Sequence, residues 1–380
     1  MAIDYIAIRS AETRDIIGII DGAQSVIWHS VYYGCGDFEI YATATQKHID
    51  LLRVGNYAAK PYSDELGVIE RVEATNTVTD GKMIVASGRL AKSILDRRHI
   101  YQLDGHTNTP TILSGSVETA VRTVVFKNAI NCPFDSKRNI GCLDLGVFKN
   151  YPEIIVDENG DPAQKQVSFQ NLLEYITSVL EEYGMSCTLK LYDETLKLRF
   201  EVFKGIDRSA DNTDGNDPVV FSVEYDNLTE SDYFFDVSTW KTAALIGGEG
   251  EGIERFYSIL EGAAEDLDRR ETFIDDSSIS KTGEYDTTYT DAEYDTMLIS
   301  DGLQKLAALE PLEDFQGKIN VNGGVWRVGE HYDLGDFVTI QDNELGVYMN
   351  VRISEITETQ DENGYNVEVV YSADTRRAEE

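Results

Sequence analysis

The first question this 380-residue chain raises is whether any of its residues do chemistry. The imidazoles are His29, His48, His99, His106 and His331. His99 and His106 stand seven apart, without a Cys or acidic partner at ligand spacing, so they do not make a zinc site. Cys35, Cys132, Cys142 and Cys187 form no C-x-x-C pair and read as small reduced core residues, not as a disulfide framework. No G-x-S-x-G elbow, H-E-x-x-H, Walker A or S-x-x-K occurs in a fitting context.

GGEGEG follows a strand-like run, where a phosphate-cradling loop would stand. Glu249 and Glu251 occupy the positions where backbone amides would meet an anion, and no Gly-Lys-Ser/Thr follows. The better reading is a mobile or tightly turning loop in which Gly247, Gly248, Gly250 and Gly252 allow close backbone approach. DENGD (157–161) and DNTDGND (211–217) lack the order of a calcium loop, and Pro162 stands where an EF-hand glycine belongs, so both read as turns. Carboxylates are abundant enough that some pair falls at glycosidase spacing by chance, and no pair is singled out. The 21 tyrosines form no local cluster. These residues predict no catalytic centre, no cofactor and no metal.

The elements that would position any site run β, then α+β, then β. Up to about residue 95, DYIAIRS, DIIGIID, SVIWHSVYY and GDFEIYA are short strand-type runs. GVIERVEATNTVTDGKMIVASG reads as a hairpin turning at Asp80-Gly81. RLAKSILDRRHI follows as a short helix packing Leu90, Ile94 and Leu95. Between about 100 and 230 two helices are predicted. One carries Val117, Ala120, Val121, Val124 and Val125 on one face, capped by Ser116. The other runs through Phe169, Leu172, Leu173, Ile176, Val179, Leu180 and Tyr183, capped by Ser168 and ended by Gly184. Two strands follow in MSCTLKLYDETLKLRFEVF. Later, Thr290 and Glu293 form a capping-box pattern ahead of a helix stopped by Pro311. The rest is β, with turns at Asn322-Gly323 and Asn363-Gly364. In VYMNVRISEITET, Val347, Met349, Val351 and Ile353 face one way and Tyr348, Asn350, Arg352 and Ser354 the other. The beat slips between Glu355 and Ile356, which predicts a bulge.

Bulk properties narrow the function. Thirty-three Lys and Arg against 68 Asp and Glu give a net charge of −35, which opposes binding to nucleic acid or to an anionic membrane. No apolar run reaches the ~18–20 residues of a membrane span, and the N-terminus lacks a signal h-region. The chain is expected to remain in the cytoplasm of the cell that makes it unless released without a signal.

Four segments together resemble the siphophage tail proteins of the Gp37-like class, relatives of the baseplate hub protein. They are GDFEIY, with Gly36, Asp37 and Phe38; GVIERVEA…VASGRLAKSILDRRHI; ALIGGEGEGIERF with DRRETFIDDSSIS, which holds Arg269, Arg270 and Glu271; and YDLGDFVTI…VRISEITET…NGYNVEVVY, with Gly335 and Asp336. The resemblance implies a β-rich fold in which two tube-protein-like β-barrel units flank and enclose an α+β insertion. The domains expected are 1–98, 99–230 and 231–380. It also implies a homotrimer forming a pseudo-sixfold ring that closes the tail tube. Tail tube, distal tail and tape-measure proteins would be its partners, and a tip or fibre protein would dock below. The particle would be assembled in the bacterial cytoplasm, with this protein at the tail tip. DNA would pass the lumen without sequence-specific binding, repelled by carboxylates. ADTRRAEE follows the last predicted strand closely, so no peptidase or fibre extension is expected. Two other classes remain to be weighed: a carboxylate-dependent hydrolase of cell-wall glycan, and a module binding host polysaccharide.

Overall fold

The structure, a computed structural model, describes residues 3–77, 81–156, 162–282, 288–319 and 326–372. Asp80, Asn322-Gly323, the 157–161 stretch and the tail after 372 lie outside the described residues. Contacts gather the chain into two compact units. One is Met1–Asp232 with Phe315–Glu380; the other is Tyr233–Asp314.

The larger unit starts with β1 (Tyr5–Arg9), β2 (Ile16–Asp21), β3 (Ser25–Val31), β4 (Asp37–Thr43), α1 (Gln46–Leu51), β5 (Tyr57–Ala59), β6 (Gly67–Val68), β7 (Arg71–Thr77) and β8 (Gly81–Arg89). Alternation decides what these strands bury. Val26 and Trp28 of β3, Phe38, Ile40 and Ala42 of β4, and Ile84 and Ala86 of β8 point inward. Trp28 stacks on Phe38 with ring centroids 5.4 Å apart, directly across the β3–β4 ladder. The short helix after β8 is present as a 3-10 helix, Ala91–Arg97, burying Ile94 and Leu95.

The α+β segment packs α2 (Val117–Val125) and α3 (Leu172–Glu182) over β9 (Leu143–Leu145), β10 (Ser186–Tyr192) and β11 (Lys197–Phe203). Ser116 caps α2 as expected, accepting from the Thr119 amide, and a π turn, Phe126–Ile130, extends that helix. The start of α3 differs from expectation. Asn171, not Ser168, is the cap, accepting from the amides of Leu173 and Glu174. The preceding chain is pinned elsewhere. The Phe169 amide donates to Ile100 O (2.6 Å), and the Ser168 hydroxyl is taken by Asn108 Nδ2 (2.8 Å). Phe169 is therefore outside the helix and exposed, at φ 60°. Gly184 ends α3 at φ 65°, as its position implied.

The second set of strands in this unit is β12 (Val220–Ser222), β13 (Leu228–Asp236), then β17 (Leu312–Ile319), β18 (Phe337–Asp342), β19 (Val347–Asp361) and β20 (Gly364–Ser372); β13 and β17 run across the unit boundary. Its core is Phe221, Tyr332, Ile340, Val351 and Tyr371, with Phe221 edge-on to Tyr332 at 5.2 Å. The predicted bulge is present between Ile353 and Glu355. β19 joins the two β regions: Glu355–Gln360 pair antiparallel with Val31–Val26. One sheet of order β13-β17-β20-β19-β3-β4-β8-β7 results, with β18 on β19 and β12 on β18. A separate sheet has the order β2-β1-β5-β6. The fold is β-rich with several sheets, and no pairing among the described strands closes one on itself.

In the Tyr233–Asp314 unit, β14 (Ala243–Gly247) lies between β15 (Tyr257–Leu260) and β16 (Glu271–Asp275). α4 (Asp291–Ala307) covers one face, setting Tyr294 and Leu298 against Ile246 and Ile274. The capping box forms as its sequence predicts. Thr290 accepts from the Glu293 amide, and the Glu293 carboxylate accepts from the Thr290 amide at 2.8 Å.

Candidate functional site

The two Gly-Asp-Phe stretches both start strands and both press on the end of β3. At Gly36 a Cβ would stand 2.1 Å from His29 O, so only glycine lets β4 begin so close to β3. Gly335 has φ 92°, and its Cβ would meet the Tyr32 ring at 2.2 Å. Beyond this the stretches part. Asp37 is exposed and lies 3.3 Å from His29 Nδ1, whose Nε2 is 2.8 Å from Glu355. Asp336 is buried and accepts from the amides of Ile206 (2.7 Å) and Asp333 (3.0 Å) and from Arg208 Nε (3.0 Å). Burial raises its carboxyl above the ordinary range, and these three donors oppose that rise.

Around Gly335 the α+β segment meets both β regions. Tyr32 Oη donates to Gly184 O (3.0 Å) and accepts from the Gly205 amide (3.2 Å). Lys92 Nζ reaches Val31 O at 3.1 Å, and the Ser186 hydroxyl donates to Tyr32 O. Arg352 is 2% exposed although it alternates away from the Val351 face. Its guanidinium stacks over Phe337 (4.1 Å) and Tyr32 (5.1 Å), and Nη1 donates to Gly335 O (2.9 Å). Sequence reasoning missed Tyr32, Gly205 and Arg352. Their partners lie far off in the chain, and no local pattern marks them. Nearby, the Lys60 amine pairs with Glu358 and is pulled down to about 8 by burial.

The other matched residues lie in the Tyr233–Asp314 unit. Gly250 (φ 106°) and Gly252 (φ 57°) turn the chain, and Cβ atoms at Gly247 and Gly248 would strike Arg255 and Tyr294. Arg255 holds this loop, donating to Gly248 O (3.0 Å), Gly247 O (2.8 Å) and Asp275 (2.5 Å). It is thus a tight turn with close backbone approach. Arg269 bridges Glu261 and Glu271, while the Arg270 guanidinium lies over Trp240 at 4.9 Å and its amide donates to Thr242 Oγ1. These contacts are all made within the unit itself. Burial pushes the Cys35 thiol up to about 11, away from thiolate chemistry. Among the described residues no group of three His, Cys, Asp or Glu is placed to hold a metal ion, and no helix is long and apolar enough to cross a membrane.

A family model described as Siphovirus ReqiPepy6 Gp37-like protein matches residues 6–371. Among solved structures, this fold is similar to the 43 kDa tail protein of prophage MuSo2 from Shewanella oneidensis. That likeness has a TM-score of 0.58 and 12% identity, and covers 97% of this chain and 98% of that one. It is also similar to the tail protein from Neisseria meningitidis MC58, at TM-score 0.54 and 12% identity over 97% of each chain. No curated protein matches the chain.

Proposed function

This chain belongs to the Siphovirus ReqiPepy6 Gp37-like family of phage tail proteins, and from that premise we propose that it is a tail hub. Three copies form a pseudo-sixfold ring that closes the tail tube and anchors tip or fibre proteins. The observation that carries this reading is the pair of β regions on one sheet. One is built on Trp28 and Phe38, the other on Phe315 and Tyr371, and they are fused edge to edge through β3 and β19. A chain with two such regions lets three copies present six similar surfaces in a closed ring.

In this reading the building blocks are 1–98, 99–230 and 231–380, the first and third being tube-protein-like barrels. The third carries Tyr233–Asp314 as an inserted unit. The role is structural, not enzymatic. Tail tube, distal tail and tape-measure proteins are the neighbours, at the tail tip of a virion. The −35 charge keeps the lumen from trapping DNA. Electron microscopy of the purified protein mixed with its tail tube protein tests the proposal. Threefold rings capping tubes are expected. A strict monomer that leaves tubes uncapped and clears a peptidoglycan suspension would overturn it.

A further inference from the structure

Lys60 and Glu358 stand 298 residues apart in the chain and meet inside the larger unit. Lys60 follows β5, and Glu358 lies on β19, the strand that fuses the two β regions. Their side chains are only 15% and 9% exposed, and Lys60 Nζ donates to Glu358 Oε2. The surroundings are aromatic. Glu358 stands directly across the β3–β19 ladder from Trp28, and Nζ lies over the Trp28 ring, 5.7 Å from its centroid. Trp28 Nε1 is buried and has no hydrogen-bond partner among the described residues. The other carboxyl oxygen of Glu358, Oε1, accepts from Tyr365 Oη at 2.7 Å.

Such a site does not favour two full charges. Burial disfavours the ammonium and the carboxylate alike, and passing one proton from Nζ to Oε2 neutralises both. Burial holds the Lys60 amine down at about 8, which brings its nucleophilic neutral form within reach near neutral pH. Burial also raises the Tyr365 phenol, so it stays protonated as a donor to Oε1. A neutral amine, a carboxylic acid in contact with it and a donor on the acid's second oxygen are the parts of an amide condensation. Groups that a fold holds in place react with effective molarities of roughly 10⁵–10⁸ M.

We propose that Lys60 and Glu358 condense in the folded chain to a side-chain amide, a crosslink the protein makes in itself. The pair first shares its proton, so that both groups are neutral. The Nζ lone pair then attacks Glu358 Cδ and forms the C–N bond. The Cδ–Oε2 bond breaks with its electron pair on oxygen, and one Nζ proton joins the departing hydroxyl as water. The amide keeps one N–H, and Oε1 remains as its carbonyl oxygen, still facing Tyr365 Oη. No oxidant, nucleotide or other co-reactant enters. The bond ties the N-terminal β region to β19 and closes a loop that holds the whole α+β segment and the Tyr233–Asp314 unit. It does not depend on the ring reading.

Intact mass spectrometry of the denatured full chain tests this. Wild type is expected to weigh one water less than its sequence. Its digest should hold a branched peptide joining the chain around Lys60 to that around Glu358. Lys60→Arg keeps a cation against Glu358 without the primary amine, and Glu358→Ala removes the acid; both should show their full sequence mass. Tyr365→Phe removes only the donor to Oε1 and should slow the loss of water roughly tenfold or more. The wild-type mass decides by itself, so no variant need fold. Wild type at its full sequence mass, fresh or after days of incubation, overturns the proposal and leaves an ordinary buried ion pair. A deficit of one water that persists in Lys60→Arg overturns it too, because the dehydration then lies elsewhere in the chain.

Discussion

The ring of Tyr32 fills the space that a side chain at Gly335 would need, with Cε2 only 2.2 Å from the position of a Cβ. Gly335 also sits at φ 92°, so alanine there meets backbone strain and overpacking together. Gly335→Ala is expected to lose about 2–4 kcal/mol in urea unfolding. A loss below about 0.5 kcal/mol would mean that the ring moves aside freely.

Asp37 and Asp336 hold the same place in two echoing stretches but should behave unequally. Asp336→Ala strands the amides of Ile206 and Asp333 and the Arg208 guanidinium, and should cost about 2–4 kcal/mol. Asp37→Ala touches an exposed carboxylate and should stay within about 0.5 kcal/mol. Equal losses in paired melts would refute this reading.

Helix α3 offers a test of which residue caps it. Asn171→Ala should cost about 1 kcal/mol, because the amides of Leu173 and Glu174 lose their acceptor. Ser168→Ala removes only the hydroxyl that Asn108 reaches and should cost less. A reversed order of midpoints in denaturant would return the cap to Ser168.

The capping box of α4 depends on pH with a definite sign. The Thr290 amide and hydroxyl hold the Glu293 carboxyl below its ordinary 4.5. Its contribution is present above that value and is lost as pH falls through the lower folded value. Thr290→Ala should destabilise the unit by about 1 kcal/mol near neutral pH, and the gap to wild type should narrow as the pH is lowered through the carboxylate range. A gap that stays constant in melts from pH 7 to about 3 would show that the Thr290 hydroxyl does not favour the ionised carboxylate.

Local features were legible in the sequence. Ser116 and Thr290 cap helices because their partners lie within three residues, and the bulge near Glu355 shows in the alternation of β19 itself. What failed to show depends on distant chain. Ser168 lost its role because Asn108 takes its hydroxyl and Ile100 holds Phe169. Arg352 alternates as a solvent-facing residue should, yet Phe337 and Tyr32 cover it. Glycine spacing marked Gly36 and Gly335, but not that both would lean on the end of β3.

The pairing of β3 with β19 sets an order of events during synthesis. Val26–Val31 leave the ribosome more than three hundred residues before Glu355–Gln360, their neighbours on that side. Until then one edge of the N-terminal sheet presents unpaired amides and carbonyls while β4 already protects the other. A nascent chain stalled before Val347 would keep that edge open to any passing strand, a template for mispairing until the C-terminal strands are made.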